Sequence, residues 1–236
     1  MVSGWSMTAV NPNRHAYRGT PSGNTQRSLS GSFAFALALG LFILLLPAAA
    51  PANTLVVYGD SLSAAYGIAE EDGWVSLLEE HMAQEAPEWE VVNASISGET
   101  TDGGLRRIER MLEAQSPELV ILELGGNDGL RGRDPGTIQS NLAAMVERIR
   151  AEGARVLLVG IEIPPNYGRT YTDAFRQQYR NLAEKKDLAF IPFLLEGIHN
   201  KEGMMQDDGI HPTARAQPLI RDRVWEALQP LLAETD

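Results

Sequence analysis

The sequence predicts an α/β domain built on a parallel sheet, and three observations predict it. From Asn53 onward, short apolar runs of strand length alternate with longer stretches of helical pattern. Most of the runs are β-branched or Leu-rich without the in-out alternation of a strand that has one wet face, as expected where both faces are covered. No repeat or low-complexity stretch interrupts this order, so the region reads as one domain, in keeping with a chain of 236 residues.

In chain order, Leu55 to Tyr58 is the first strand and Gly73 to Gln84 the first helix. Glu90 to Asn93 is the second strand, followed by a helix over Thr101 to Gln115. Leu119 to Leu124 is the third strand. The helix over Thr137 to Ala151 carries Ile138, Leu142, Met145, Val146 and Ile149 at spacings of three and four, so one of its faces packs on the sheet. Val156 to Ile161 is the fourth strand. The stretch Ile163-Pro164-Pro165-Asn166-Tyr167-Gly168 holds too many breakers for a helix or central strand and reads as a loop. Thr172 to Lys186 is a helix, Ala189 to Ile191 the fifth strand, and Thr213 to Leu232 the last helix.

Charge narrows the partners. The chain carries 31 acidic and 20 basic residues, and before residue 53 the ionised side chains are Arg14, Arg18 and Arg27 alone. The remainder is therefore strongly acidic, which argues against nucleic acid or an anionic membrane as partner. The absence of Cys excludes disulfides, thiol chemistry, zinc knuckles and a lipid-modified amino terminus.

Residues 1–52 read as an export signal with an extended polar leader. Phe33 to Leu46 is an uninterrupted apolar run, shorter than the ~20 residues a spanning helix needs. It follows a basic, acid-free segment and leads to Ala50-Pro51-Ala52, a small-x-small cleavage pattern. Cleavage after Ala52 would leave residues 53–236 as a periplasmic domain without stable membrane insertion. An uncleaved anchor over Phe33 to Ala52 is the alternative.

The chemistry is expected at the carboxyl ends of the strands, where an open α/β sheet builds its sites. Gly59-Asp60-Ser61-Leu62-Ser63 directly follows the first strand and places the Ser61 hydroxyl there. A serine nucleophile needs a base, a carboxylate to hold that base, and donors for the developing oxyanion. Of the four His, His211 alone lies in a polar turn followed by Pro212, and Asp208, three residues earlier, can accept its Nδ1 proton. Gly98, after the second strand, can offer a backbone N–H at close approach, and Asn127 in Gly125-Gly126-Asn127-Asp128 can add its amide. Taken singly, these motifs are also ordinary turn and cap chemistry. With nucleophile, base and donors all supplied by the chain, no metal or organic cofactor is expected. A zinc site would want more His or Cys than the sequence holds.

Together, Gly59-Asp60-Ser61-Leu62-Ser63, Gly98, Gly125-Gly126-Asn127-Asp128 and Asp208-Gly209-Ile210-His211-Pro212 resemble, in order and spacing, the four signature blocks of the SGNH, or GDSL, hydrolases. Within that family the chain is similar to the bacterial periplasmic esterases and thioesterases. The resemblance implies a flavodoxin-like three-layer α/β/α sandwich with a parallel five-stranded sheet. It implies that Ser61 is the nucleophile, that Asp208 and His211 complete a triad, and that the Ser61 N–H, Gly98 and Asn127 form the oxyanion hole. It further implies an acyl groove between Leu130 to Pro135 and Ile163 to Tyr171, with Leu130, Ile163, Pro164 and Tyr167 as candidate lining. Glu162 stands where relatives often carry a basic residue.

The substrates implied are small acyl esters and thioesters, namely lysophospholipids, aryl esters and acyl-CoA, cleaved by a monomer. A carbohydrate O-acetylesterase could use the same residues in a more open groove, and a lipid-binding module could retain them without turnover.

Overall fold

The computed structural model describes residues 53–233. The export signal assigned above lies outside them. The described chain forms five strands, β1 Asn53–Gly59, β2 Trp89–Asn93, β3 Leu119–Glu123, β4 Arg155–Val159 and β5 Ala189–Ile191. Between and after them lie six helices: α1 Trp74–Glu85, α2 Thr101–Gln115, α3 Gly126–Leu130, α4 Pro135–Ala151, α5 Arg169–Lys186 and α6 Gln217–Leu232. All strand pairs are parallel, in the order β2-β1-β3-β4-β5. Among the described residues no helix is long and apolar enough to cross a membrane.

The three layers follow from the two-residue period of the strands. Leu55 and Val57 of β1, Leu119 and Ile121 of β3, and Leu157 and Val159 of β4 pack against Leu78 and Met82 of α1 and Ile220 and Val224 of α6. Their neighbours Val56, Tyr58, Val120, Leu122, Val156 and Leu158 point to the other face, against Ile108 of α2, Leu142 and Met145 of α4, and Phe175 and Leu182 of α5. Both faces of the central strands β1, β3 and β4 are thus buried, which is why their apolar runs do not alternate, whereas the edge strand β2 exposes Glu90.

The predicted elements all appear, with displaced ends. β4 stops at Val159 rather than Ile161 because its ladder partner runs into Pro192, which has no N–H to donate, and the Gly160 N–H closes the pairing on the Ile191 carbonyl. α4 begins at Pro135, not Thr137, because the Asp134 side chain caps it by accepting the Thr137 N–H. α5 begins at Arg169 and α6 at Gln217, the latter preceded by a tight turn over Ala214–Ala216. Gly125-Gly126-Asn127-Asp128, expected as a turn, leads instead into the short helix α3, which runs from Gly126 to Leu130.

The strand order reverses between β1 and β3, whose neighbours lie on opposite sides. The crevice above this switch point is where an open α/β sheet places its ligand. The chain enters it from β1, β2 and β3 in adjacent positions.

Candidate active site

The loop leaving β1 turns sharply at Asp60. Its side chain accepts the Leu62 N–H through Oδ1 at 3.1 Å, and its carbonyl accepts the Ser63 and Ala64 N–H groups. This local turn leaves Ser61 at the crest, where its hydroxyl meets the Nε2 of His211 at 2.8 Å. The opposite ring nitrogen, Nδ1, lies 2.6 Å from Asp208 Oδ2. Asp208 is itself fixed, because its Oδ1 accepts the backbone N–H groups of Ile210 and His211 at 2.9 and 3.0 Å. Three residues separated by up to 150 positions thus form one hydrogen-bonded line.

Desolvation would raise the Asp208 carboxyl, but the bonds from the His211 N–H, the imidazole and the Ile210 N–H outweigh it. They draw its pKa from 3.8 down to about 2. A carboxylate that stays ionised in this way can hold the imidazole in the tautomer whose Nε2 accepts a proton.

Gly98 and Asn127 face the same crevice. Gly98 sits at φ +80°, a left-handed conformation that a side chain would strain, with open space where a Cβ would be. Among the described residues, neither its N–H nor that of Ser61 is taken by a protein acceptor. Asn127 lies in the first turn of α3, and its amide donates one hydrogen to Asp60 Oδ2 at 3.0 Å, which leaves the other for a ligand. The sharp exit from β3 requires Gly125, at φ +120°, where a Cβ would stand 2.2 Å from the Tyr179 hydroxyl.

Below this layer lies an acid that sequence reading missed. Glu123, the last residue of β3, is fully buried and accepts the Ser63 hydroxyl at 2.7 Å and the Asp60 N–H at 3.2 Å. Burial first, and the Asp60 charge second, push its carboxyl well above the usual range. Burial likewise raises Asp60, from 3.8 to about 6, against the opposing bonds from Leu62 and Asn127. The only sequence signal for Glu123 is an acid within an apolar strand, which costs free energy unless partnered or protonated.

These shifts act on stability with opposite signs. An acid whose folded pKa is raised contributes stability that is complete below its ordinary value and is lost as pH rises through the folded one, here from 3.8 to about 6 for Asp60. Asp208, depressed, contributes stability present above 3.8 and lost as pH falls to about 2. Melting temperature is therefore expected to fall as pH rises from 4 to 8, and Glu123→Gln, which keeps an acceptor oxygen but cannot ionise, should flatten that fall. Thermal scans across this range check it, and an unchanged slope in the variant would be the contrary result.

The crevice widens into a cavity of about 720 Å³ that includes Ser61, Gly98, Asn127 and His211. Leu130, Ile163 and Pro164 line it as expected. Tyr167 does not: it lies outside the lining, 37% exposed, with its hydroxyl donating to the Leu130 carbonyl at 2.8 Å. Its hydroxyl ties the two groove loops together. Phe193, Leu194 and Leu195 also line the cavity, a contribution the sequence does not signal because the segment directly after β5 carries no recognisable motif, and Ile210, beside His211, completes the apolar lining. Glu162 at the rim is paired with Arg176 at 3.4 Å, and Arg176 also meets Asp173 at 2.7 Å. Arg131 and Arg133 lie outside the lining, Arg131 donating to the Gly98 carbonyl at 3.3 Å and Arg133 forming an ion pair with Asp128 at 3.9 Å.

Comparison with known proteins agrees with this geometry. The sequence model described as the GDSL-like Lipase/Acylhydrolase family matches residues 57–218. The chain is 52% identical to Esterase TesA of Pseudomonas aeruginosa over 192 residues, covering 81% of this chain and 96% of that protein. It is 44% identical to Thioesterase 1/protease 1/lysophospholipase L1 of Escherichia coli K12 over 193 residues, covering 81% and 91% of the two chains. The crystal structure of a psychrotrophic esterase, EstA from Pseudoalteromonas, inhibited by monoethylphosphonate, superimposes with a TM-score of 0.74 at 42% identity, covering 77% of this chain and all of that one.

Proposed function

The chain belongs to the GDSL-like lipase/acylhydrolase family, and from that premise we propose that it hydrolyses acyl esters and thioesters through an acyl-enzyme on Ser61. The observation that carries the reading is the unbroken line from Asp208 through His211 to the Ser61 hydroxyl, at 2.6 and 2.8 Å.

In this mechanism His211 Nε2 takes the hydroxyl proton as Ser61 Oγ attacks the acyl carbonyl carbon. Asp208 stabilises the imidazolium that forms. The carbonyl oxygen, now negative, accepts hydrogen bonds from the Ser61 and Gly98 N–H groups and the Asn127 amide. His211 returns the proton to the departing alkoxide or thiolate, and the acyl group stays on Ser61. Water then repeats the sequence, giving up its proton to His211 and releasing the carboxylic acid. A fluorophosphonate probe is expected to label Ser61 in the wild type and to leave Ser61→Ala unlabelled; labelling elsewhere would overturn the assignment.

The apolar walls at Leu130, Ile163, Phe193 and Leu194 support acyl chains longer than acetyl, such as those of lysophospholipids, aryl esters and acyl-CoA. A nitrophenyl ester series tests this, and a maximum at acetate would favour an O-acetylesterase instead. Asn127→Ala is expected to lower kcat by about 10²–10³, more than it raises KM, because in this mechanism its amide bonds the oxyanion and not the resting carbonyl. Steady-state kinetics on one ester separate the two, and a pure KM effect would make Asn127 a substrate-positioning residue. Export with cleavage after Ala52 completes the proposal; Asn53 as the amino-terminal residue of the periplasmic protein is its check.

A further inference from the structure

The proposed nucleophile and base lie on separate loops, and each loop closes on itself. In the first, the Ser63 and Ala64 N–H groups bond the Asp60 carbonyl and the Tyr66 N–H bonds the Ser61 carbonyl. In the second, the Gln206 N–H bonds the His211 carbonyl at 2.8 Å and the Thr213 N–H bonds the Met204 carbonyl at 2.8 Å. Asp208 and His211 both belong to the second loop, so their mutual geometry is set within it.

Apart from the Ser61–His211 contact, one side chain hydrogen-bonds these loops to each other among the described residues. Gln206 Nε2 donates to the Tyr66 carbonyl at 2.8 Å and to the Pro212 carbonyl at 3.0 Å, using both amide hydrogens. Each acceptor adjoins something that matters. Pro212 follows His211 directly, and the Tyr66 ring packs against the imidazole with centroids 4.4 Å apart and planes tilted by 36°.

We propose that Gln206 is a positioning residue whose amide, by joining the Tyr66 and Pro212 carbonyls, sets the separation of the Ser61 hydroxyl and His211 Nε2. The proposal rests on the catalytic reading of those two residues. Removing the amide leaves the Asp208–His211 pair intact within its own loop but releases that loop from the serine. A displacement of about 1 Å between reacting groups can cost up to ~10²-fold in rate.

The test replaces Gln206 with Met, which has a similar length and no N–H, and with Asn, which keeps the amide but is one methylene too short to span both carbonyls. Both are expected to lower kcat for a nitrophenyl ester by roughly 10- to 100-fold, the Asn variant less than the Met, with KM within about twofold. Fluorophosphonate labelling of Ser61 should slow in parallel, while the low-field proton resonance of the Asp208–His211 bond persists. In a His211→Ala background, Gln206→Met should cost nothing more, because no base remains to be positioned. Should the Met variant not fold, the Asn variant carries the same comparison.

Wild-type kcat and labelling rates in the Gln206 variants, loss of the low-field resonance, or an undiminished effect without His211 would each overturn the proposal. A wild-type protein that the probe does not label, with Ser61→Ala still active, would instead overturn the catalytic reading beneath it.

Discussion

Ser61→Ala is expected to reduce kcat by about 10⁶, the scale seen when a triad nucleophile is removed. The loss is that large because the alternatives are poor. No cysteine exists to substitute, and Ser63, the nearest hydroxyl in sequence, is 2% exposed and donates to the Glu123 carboxyl at 2.7 Å. Residual rate would come from water activated by His211 near the oxyanion donors. Substrate binding should survive, since the apolar walls are untouched. Initial rates on a nitrophenyl ester with protein purified away from host esterases decide the matter, and activity above about one part in a hundred of wild type would exclude Ser61 as the nucleophile.

The second large effect separates two neighbouring acids. Asp208→Asn is expected to lower kcat by as much as ~10⁴, while Asp207→Asn stays near wild type. An amide at position 208 carries no charge to stabilise the imidazolium, and its NH₂ can donate to Nδ1 and favour the wrong tautomer. The Asp208 contacts also close the turn, through the Ile210 and His211 N–H groups, so the comparison belongs at matched folded concentration. Asp207 is exposed, and none of the hydrogen bonds of this turn reach its side chain. If Asp207→Asn proves the damaging change, the base is oriented by a different carboxylate from the one seen here.

Much of this molecule was legible because burial writes itself into composition. Strands such as Leu55 to Tyr58 and Leu119 to Leu122 are covered on both faces and so are apolar without alternation. Ser61, Gly98 and Asn127 were legible because each lies just past a strand, in a turn whose residue types are restricted. Features set by distant partners were not. Gly126 to Leu130 has the composition of a turn and becomes helical in a setting where the Asp128 carboxylate accepts the Thr101 N–H and hydroxyl. Glu123 is one charge in an apolar run, and its partners Asp60 and Ser63 lie 63 and 60 residues away. Tyr167 is an aromatic in a groove loop, and nothing in its sequence neighbourhood signals that its hydroxyl bonds the Leu130 carbonyl across the groove. The wall at Phe193 to Leu195 follows the last strand without any turn or periodic signal, so only the closed fold reveals which way it faces.

The proposed oxyanion donors and the proposed base are mounted on supports of unequal stiffness. The Ser61 N–H, Gly98 and Asn127 stand at or just beyond the ends of three adjacent strands, whose spacing is held by the continuous ladders of β1 with β2 and β3. His211 is carried on the long connection between β5 and α6, which has one isolated bridge, Met205 with Pro212, and a single short turn of helix. Segments with few ladder bonds open at lower free energy than core strands. Mild heat or denaturant should therefore silence the protein by letting the arm swing away while the sheet stays folded, and the lost activity should return promptly on cooling. Esterase activity is expected to disappear several degrees below the far-ultraviolet circular dichroism transition; coincident curves would show that arm and sheet come apart as one cooperative unit.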